Sequence, residues 1–259
     1  WKYGRFDDPD DPRYNFRRDV DACSGASLLV RAKVLMALGG FDQQFAAVGY
    51  YDDVDLCMAI RHLGHRVIYQ PASAVVRLED ASSDTSLASG IKRLPTVGAA
   101  LFEEKWHDVL LRDHLESQAK SVYTAARRLH GTPRVLVIEG HVPRHDRDAG
   151  SLRLTRIMHL LVAAGTRVVF FPIDLAPVQP YTRELQRAGI EVICQPLGAT
   201  DVGLRLAPVL TEIDMVWICR PEVAERFQPF LRRFPNLKIV YDTIDLHFVR
   251  KRRQAELTG

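Results

Sequence analysis

The chain has 259 residues, of which 47% are hydrophobic and 26% charged, with a formal net charge of +3. This balance is that of a soluble globular protein of one large or two ordinary domains, and it excludes collagen-like, low-complexity and disordered classes. The longest apolar runs, such as Leu160–Ala164, are far shorter than the roughly 20 residues of a membrane span. The small net charge gives no reason to expect a nucleic-acid partner. Because the chain opens without a methionine or a signal-peptide pattern, we expect a piece of a longer protein.

The first half predicts short elements separated by turns. A helix ending at Leu63 is indicated because Leu56, Ile60 and Leu63 share one helical face and Gly64 follows. The predicted elements are, in chain order, a buried strand at Ala22–Val30, helices at Arg31–Leu38 and about Asp53–Leu63, strands at Arg66–Gln70 and Ala74–Leu78, and a helical pattern at 87–128.

The second half alternates strands with helices, which is typical of an open parallel sheet of Rossmann type. Strands are predicted at Arg134–Ile138, Arg167–Phe171, Glu191–Cys194, Met215–Cys219 and Lys238–Tyr241, and helices at Ser151–Ala164, 181–188, 202–213 and 222–234. Gly131 and Pro133 interrupt the helical pattern between the halves. We therefore predict an α/β protein with a first domain at 1–115, a helical connector at 116–133 and a Rossmann-like domain at 134–259.

Two compositional features have ordinary interpretations. The four cysteines, none in a C-x-x-C pair, lie inside apolar runs and are expected to be buried reduced thiols. The basic run Arg250–Arg253 is expected to be an exposed helix face, with contact to an anionic lipid or phosphate as the open alternative.

The most informative segment for chemistry is Tyr50-Tyr51-Asp52-Asp53-Val54-Asp55. Three carboxylates within four positions at a helix start are favoured by the helix dipole, yet capping needs only one of them. Packing like charges together raises at least one pKa, which suits a general base. Capping and catalysis both remain open on this spacing. A calcium-binding EF-hand fits poorly, because the Gly and Glu that its loop requires are replaced by Met58 and Gly64, counting from Asp53.

Several motifs agree in order and spacing with a known family. They are Cys23-Ser24-Gly25-Ala26-Ser27, Gly39-Gly40-Phe41-Asp42, Tyr51-Asp52-Asp53-Val54-Asp55 and Tyr69-Gln70-Pro71. Residues 1–115 thereby resemble the C-terminal half of a family 2 glycosyltransferase of the GT-A fold. The resemblance implies that Asp53 deprotonates the acceptor hydroxyl with Asp52 beside it, and that Gly25, Gly40 and Asp42 bind substrate. A helix C-cap and a turn explain the glycine pair equally well.

The sequence departs from this family at its metal site. Arg77 stands where a metal-binding His is expected, and Arg cannot ligate a metal, although it can face a diphosphate. The Asp-x-Asp motif of the nucleotide-binding half is absent. We therefore expect no metal site within this chain, and Mg²⁺ or Mn²⁺ only in a full-length parent.

The second half has its own candidate site. Gly150 and Ser151 open the predicted long helix, whose free amides suit a phosphate or a sugar hydroxyl, and Ser151 as an ordinary N-cap is the alternative. No GxGxxG or GxxxxGK[ST] motif is present. Asp245 and His247 follow the last strand, at the edge where α/β sheets bind ligands. Residues 134–259 resemble the N-terminal domain of a family 4 glycosyltransferase of the GT-B fold, which implies that Gly150 borders donor phosphates and that Asp245 or His247 faces a cleft.

Together the resemblances imply a fragment of a bifunctional glycosyltransferase that builds bacterial surface polysaccharide. The expected partners are a nucleotide-sugar donor and a glycan or lipid-linked acceptor. We expect a cytoplasmic location, with peripheral contact at the inner membrane face left open, and little turnover by the fragment alone. The alternative is a non-catalytic module that binds glycan or docks an enzyme.

Overall fold

The chain divides into two compact units. A computed structural model describes residues 8–76, 93–114, 132–194, 206, 209–243 and 247–258. The first unit contains Arg18–Leu129, and the second contains Lys2–Arg17 and His130–Gly259. Within the described residues, no helix has both the length and the apolar character needed to cross a membrane.

The first unit is built from short elements around one central helix. These are strands β1 (Arg18–Asp19) and β2 (Ile68–Tyr69) and helices α1 (Ala32–Ala37), α2 (Gln43–Val48), α3 (Asp52–His62) and α4 (Arg93–Asp113). β1 and β2 pair antiparallel. α3 buries Leu56, Cys57 and Ile60 against one apolar cluster and Met58 against another, which contains Phe45, Phe102 and Trp106. α3 thus joins the two apolar clusters of this unit.

Two predicted elements of the first unit are wrong. Ala22–Val30 is not a buried strand: Gly25–Ser27 form a 3₁₀ turn in which the Ala26 amide donates a hydrogen bond to the Ser24 hydroxyl, and Leu29 is 98% exposed. No strand in the described part of the chain pairs with this stretch, and its residues form a loop. Residues 74–76 are not a strand either, and 77–78 lie outside the described part of the chain.

The helices of the first unit follow the predicted pattern more closely. α1 ends at Gly39 and Gly40, whose positive φ angles of 77° and 90° let their amides return to the carbonyls of Met36 and Leu35. α3 agrees with its prediction to within one residue, and α4 confirms the part of the pattern at 93–113. α2 was not predicted, although Asp42 is a good N-cap signal.

The second unit contains the predicted parallel sheet. Its strands are β3 (Arg134–Glu139), β4 (Arg167–Pro172), β5 (Glu191–Val192), β6 (Met215–Ile218) and β7 (Lys238–Tyr241), in the order β5-β4-β3-β6-β7. All neighbouring strands are parallel. The order runs outward in both directions from the first strand, which is the doubly wound arrangement of Rossmann-like sheets. Apolar clusters form around alternate faces of β3 and β4.

The first helix of this unit begins earlier in the chain than predicted. The helices are α5 (Ala149–Ala163), α6 (Tyr181–Arg187), α7 (Pro221–Leu231) and α8 (His247–Thr258). α5 starts two residues before Ser151, because Asp148 is its N-cap. Most of the predicted helix at 202–213 lies outside the described residues.

The cysteines and the basic run are largely as expected. All four cysteines are free, but only Cys57 and Cys219 are fully buried, whereas Cys23 and Cys194 are half-buried. Burial raises the pKa of Cys57 to about 11 and that of Cys194 to about 12. In the basic run, the side chains of Arg252 and Arg253 are exposed on α8.

Candidate functional site

The start of α3 is shaped by a sharp turn at Tyr51. This residue has a left-handed backbone, with a φ of 72°, which is unusual for a bulky side chain. Its ring lies against Phe102, with ring centroids 5.4 Å apart. α4 approaches closely here because Gly98 has no side chain: a Cβ at Gly98 would lie 3.1 Å from the Tyr51 ring. The packing of α4 therefore holds the turn that presents Asp52 and Asp53.

Asp53 is held in one orientation by two backbone amides. Its Oδ2 accepts a hydrogen bond from the amide of Gly25 at 2.8 Å, and its Oδ1 accepts one from the amide of Val54 at 2.8 Å. A Cβ at Gly25 would lie only 3.2 Å from the Asp53 Cβ. The structure thus brings together two of the predicted site residues, from loop and helix. Because a carboxylate oxygen has a second lone pair, each oxygen of this half-buried group can also accept a proton.

The three carboxylates of α3 have three different surroundings. Asp52 makes no side-chain hydrogen bond within the described residues. Asp55 is 3% exposed, and it accepts hydrogen bonds from Trp106 Nε1 at 2.7 Å and Lys105 Nζ at 2.9 Å. The like charges therefore do not form one cluster, since Asp55 is turned into the core and neutralised there.

Gly40 and Asp42 have structural roles that the sequence left open as alternatives. Gly40 closes α1, and Asp42 caps α2 by accepting a hydrogen bond from the Gln44 amide at 2.9 Å. Lys105 also donates to Asp42 at 2.8 Å, and this hydrogen bond lowers the Asp42 pKa below its ordinary value. Burial opposes the charge of Lys105, but its bonds to Asp42 and Asp55 raise its pKa overall. Lys105 is therefore a cationic bridge that the sequence did not single out.

The residues at the start of α3 do not fit a divalent cation. Mg²⁺ and Mn²⁺ require several oxygen ligands around one point, but Asp55 is occupied by Lys105 and Trp106 while Asp53 is oriented by amides. Across the residues that the structure describes, no group of three or more His, Cys, Asp or Glu side chains is placed to hold a metal ion.

In the second unit, the carboxyl ends of β3 and β6 hold a buried acid and its partner. Glu139 is 3% exposed; its Oε1 accepts hydrogen bonds from the Gly140 amide at 2.7 Å and from Arg220 Nε at 2.6 Å. β3 and β6 are the two strands from which the sheet order diverges, which is where open α/β sheets bind ligands. Neither residue is among the predicted site residues, although each is the first polar group after an apolar strand run.

A second acid lies at the end of β7. Asp242 is buried, accepts a hydrogen bond from Trp217 Nε1 at 3.1 Å, and forms an ion pair with Arg153 of α5. Arg153 remains half-exposed, and the hydrogen bond that it donates to Asp242 raises its pKa. Arg153 and Arg220 thus place two partly exposed guanidinium groups next to buried carboxylates in this unit.

The start of α5 differs from the predicted anion site. Asp148 accepts hydrogen bonds from both the amide and the hydroxyl of Ser151, each at 2.7 Å, and these bonds lower the Asp148 pKa. The Ser151 amide is therefore not free, and Asp148 rather than Ser151 is the cap. Gly150 lies beside the same carboxylate, because a Cβ there would be 3.2 Å from Asp148 Oδ1.

The structure does not describe the side chains of three predicted site residues. Arg77 and Asp245 lie outside the described residues. His247 is the first residue of α8, and its side chain is not among those described.

The comparison with known families identifies part of the chain. Residues 12–93 match the family model described as "Glycosyltransferase like family 2". The matched segment contains Gly25, Gly40, Asp42, Asp52 and Asp53. No curated protein and no solved structure matches the chain. The match covers less than half of the 259 residues.

A glycosyltransferase-like region of family 2 is therefore present at 12–93, and sugar transfer, from a nucleotide-sugar donor to an acceptor, is the general activity it indicates. The five-stranded parallel sheet lies outside the matched segment.

Proposed function

We propose that the first unit is the acceptor side of a sugar-transfer site, with Asp53 as its general base. The observation that carries this proposal is the position of Asp53 within the matched segment. It is a half-buried carboxylate at a helix start, and the amides of Gly25 and Val54 fix its orientation.

The proposed step is a displacement at the anomeric carbon of the donor sugar. A hydroxyl of the acceptor glycan hydrogen-bonds to Asp53 and attacks that carbon, while the bond to the nucleoside diphosphate breaks. Asp53 takes the hydroxyl proton as the new glycosidic bond forms, and the nucleoside diphosphate leaves with the electron pair. Asp52, which makes no side-chain hydrogen bond within the described residues, is available to accept one from a second acceptor hydroxyl.

We further propose that the second unit is the first Rossmann-like domain of a family 4 enzyme of the GT-B fold. The strand order and the polar groups at the ends of β3 and β6 support this assignment. Gly150 and the Arg220 guanidinium would then border phosphate groups. The parent would be a bifunctional enzyme that extends a lipid-linked bacterial surface glycan at the cytoplasmic face of the membrane.

One observation favours a second candidate, a non-catalytic module that binds glycan. Asp55 pairs with Lys105 and Trp106, so the acidic segment lacks the set of oxygen ligands that a metal-dependent transferase uses. A domain that only positions a glycan needs no such ligands.

Incubation of the full-length parent and of its Asp53→Asn variant with a panel of nucleotide sugars and oligosaccharides distinguishes the two candidates. Mass spectrometry detects the extended glycan, and calorimetric titration with a nucleoside diphosphate and with the same oligosaccharides measures binding. Extended product that is lost in Asp53→Asn supports sugar transfer at the first unit. Oligosaccharide binding, with product either absent or unchanged in Asp53→Asn, supports the non-catalytic module.

A further inference from the structure

A polar cavity in the first unit lies at the far end of α3 from Asp53. Its volume is about 300 Å³, which is at the lower end of the range for small-molecule sites. Because each helical residue adds about 1.5 Å, His62 lies roughly 13 Å along the axis from Asp53. The walls come from the end of α3, the turn after it and the C-terminal half of α4: Met58, Arg61, His62, Gly64, His65, Trp106, Val109, Arg112 and Asp113.

Nitrogen donors predominate on these walls. Two guanidinium groups and two imidazoles face one carboxylate, that of Asp113. Two carbonyls at the end of α3, those of Arg61 and Ile60, are already paired with the Gly64 and His65 amides. The cavity is therefore suited to a ligand that carries negative charge.

Two of the wall residues are fixed and three are available to a ligand. The side chain of Arg61 is 10% exposed and is committed to Asp21 at 2.9 Å. Trp106 is buried, and its Nε1 is committed to Asp55. The imidazoles of His62 and His65 are exposed and make no side-chain hydrogen bond within the described residues. Arg112 is 68% exposed and binds Asp113 through Nε and Nη2, which leaves Nη1 uncommitted.

We propose that this cavity, the basic pocket, binds a small anionic molecule through a phosphate or carboxylate group. His62, His65 and Arg112 supply the hydrogen bonds, Arg112 supplies the charge, and Trp106 and Arg61, held by Asp55 and Asp21, form the floor. The volume suits a molecule of the size of a sugar phosphate or a sugar acid. The inference goes beyond sugar transfer at Asp53 and does not rest on it.

The charges of the pocket allow a test in which two variants move binding in opposite directions. The full chain is titrated calorimetrically at low salt with inorganic phosphate, glucuronate and, as the neutral control, glucose. Arg112→Gln should weaken binding of the anions about threefold, and Asp113→Asn should strengthen it by a similar factor. Arg66→Gln is the matched control, because Arg66 is equally exposed, at 65%, and is likewise paired with an aspartate, Asp19.

Each outcome decides the proposal. Binding of phosphate alone or glucuronate alone identifies the recognised group, and binding of both shows a general oxyanion site. If neither anion binds, if glucose binds as well, or if Arg112→Gln and Asp113→Asn leave the affinity unchanged, the proposal is wrong. Asp53→Asn should not alter the titration, so loss of sugar transfer and loss of this site are told apart.

Discussion

The two units of the chain are specified by different kinds of interaction. In the second unit, five parallel strands share backbone hydrogen bonds, and apolar clusters cover the sheet. In the first unit, the only strand pairing within the described residues is the two-residue ladder of β1 and β2. Single polar contacts join its elements, such as Lys105 to Asp55 and Arg66 to Asp19. A repeating pattern of paired strands thus specifies the fold of the second unit, whereas contacts between individual side chains specify the fold of the first.

The importance of individual side chains in the first unit can be tested most directly at Asp53. This side chain is expected to control activity without controlling the fold. In sugar transfer by the full-length parent, Asp53→Asn should reduce turnover by roughly 10²–10⁴, because the amide cannot accept the acceptor proton. Its stability should be close to that of the wild type, since Asn retains an oxygen for the Gly25 amide. Asp52→Asn is the matched control and should change turnover far less. Near-normal transfer by Asp53→Asn would remove Asp53 from its proposed role.

Asp55 should show the opposite behaviour, although it lies two residues away on the same helix. Asp55→Asn weakens a buried ion pair and places an amide against Lys105, so we expect a loss of about 1–3 kcal/mol in the stability of the first unit. Hydrogen exchange of the α3 and α4 amides measures this directly, since 1.4 kcal/mol corresponds to about a tenfold change. Exchange in β3 and β4 should be unchanged. Unaltered exchange in α3 and α4 would show that the ion pair does not hold them together.

The two units also differ in how well the sequence predicts them. The strands of the parallel sheet were predicted to within two residues at each end, because each is an apolar run bounded by polar turns. The stretch Ala22–Val30 has a similar apolar character, yet it forms a loop, and among the residues that the structure describes no partner strand lies beside it. Apolar composition alone does not show whether a partner is present.

The candidate site was predictable only in part. The acidic segment predicted Asp52 and Asp53 as candidate site residues, and the structure places Asp53 in contact with Gly25. The contacts made by Lys105, Trp106 and Arg220 were not visible, because these residues meet their partners across 50 or more positions. Residues so far apart in the chain form no short sequence motif from which their contact could be predicted.

In the second unit, the cap of α5 should have a smaller effect than the ion pair of the first. Asp148→Ala removes two hydrogen bonds to Ser151, and we expect a loss of about 1 kcal/mol, typical of an N-cap. Ser151→Ala should cost less, because it keeps the amide bond to Asp148. Hydrogen exchange of the first two turns of α5 measures both. Equal losses for the two variants would show that the hydroxyl, not the amide bond, provides the cap.

The smallest expected effect is that of a divalent metal. A hard cation needs several oxygens that converge on one point. In α3, Asp55 already faces the ammonium of Lys105, and the oxygens of Asp53 face the amides of Gly25 and Val54. Only Asp52 remains uncommitted within the described residues, and one carboxylate gives weak binding. We therefore expect calorimetric titration with Mn²⁺ to give millimolar affinity or no measurable heat, and Asp52→Ala to change little. Micromolar binding that Asp52→Ala abolishes would contradict this expectation. It would show that the acidic segment rearranges around a metal, so that Asp55 leaves Lys105 when the cation binds.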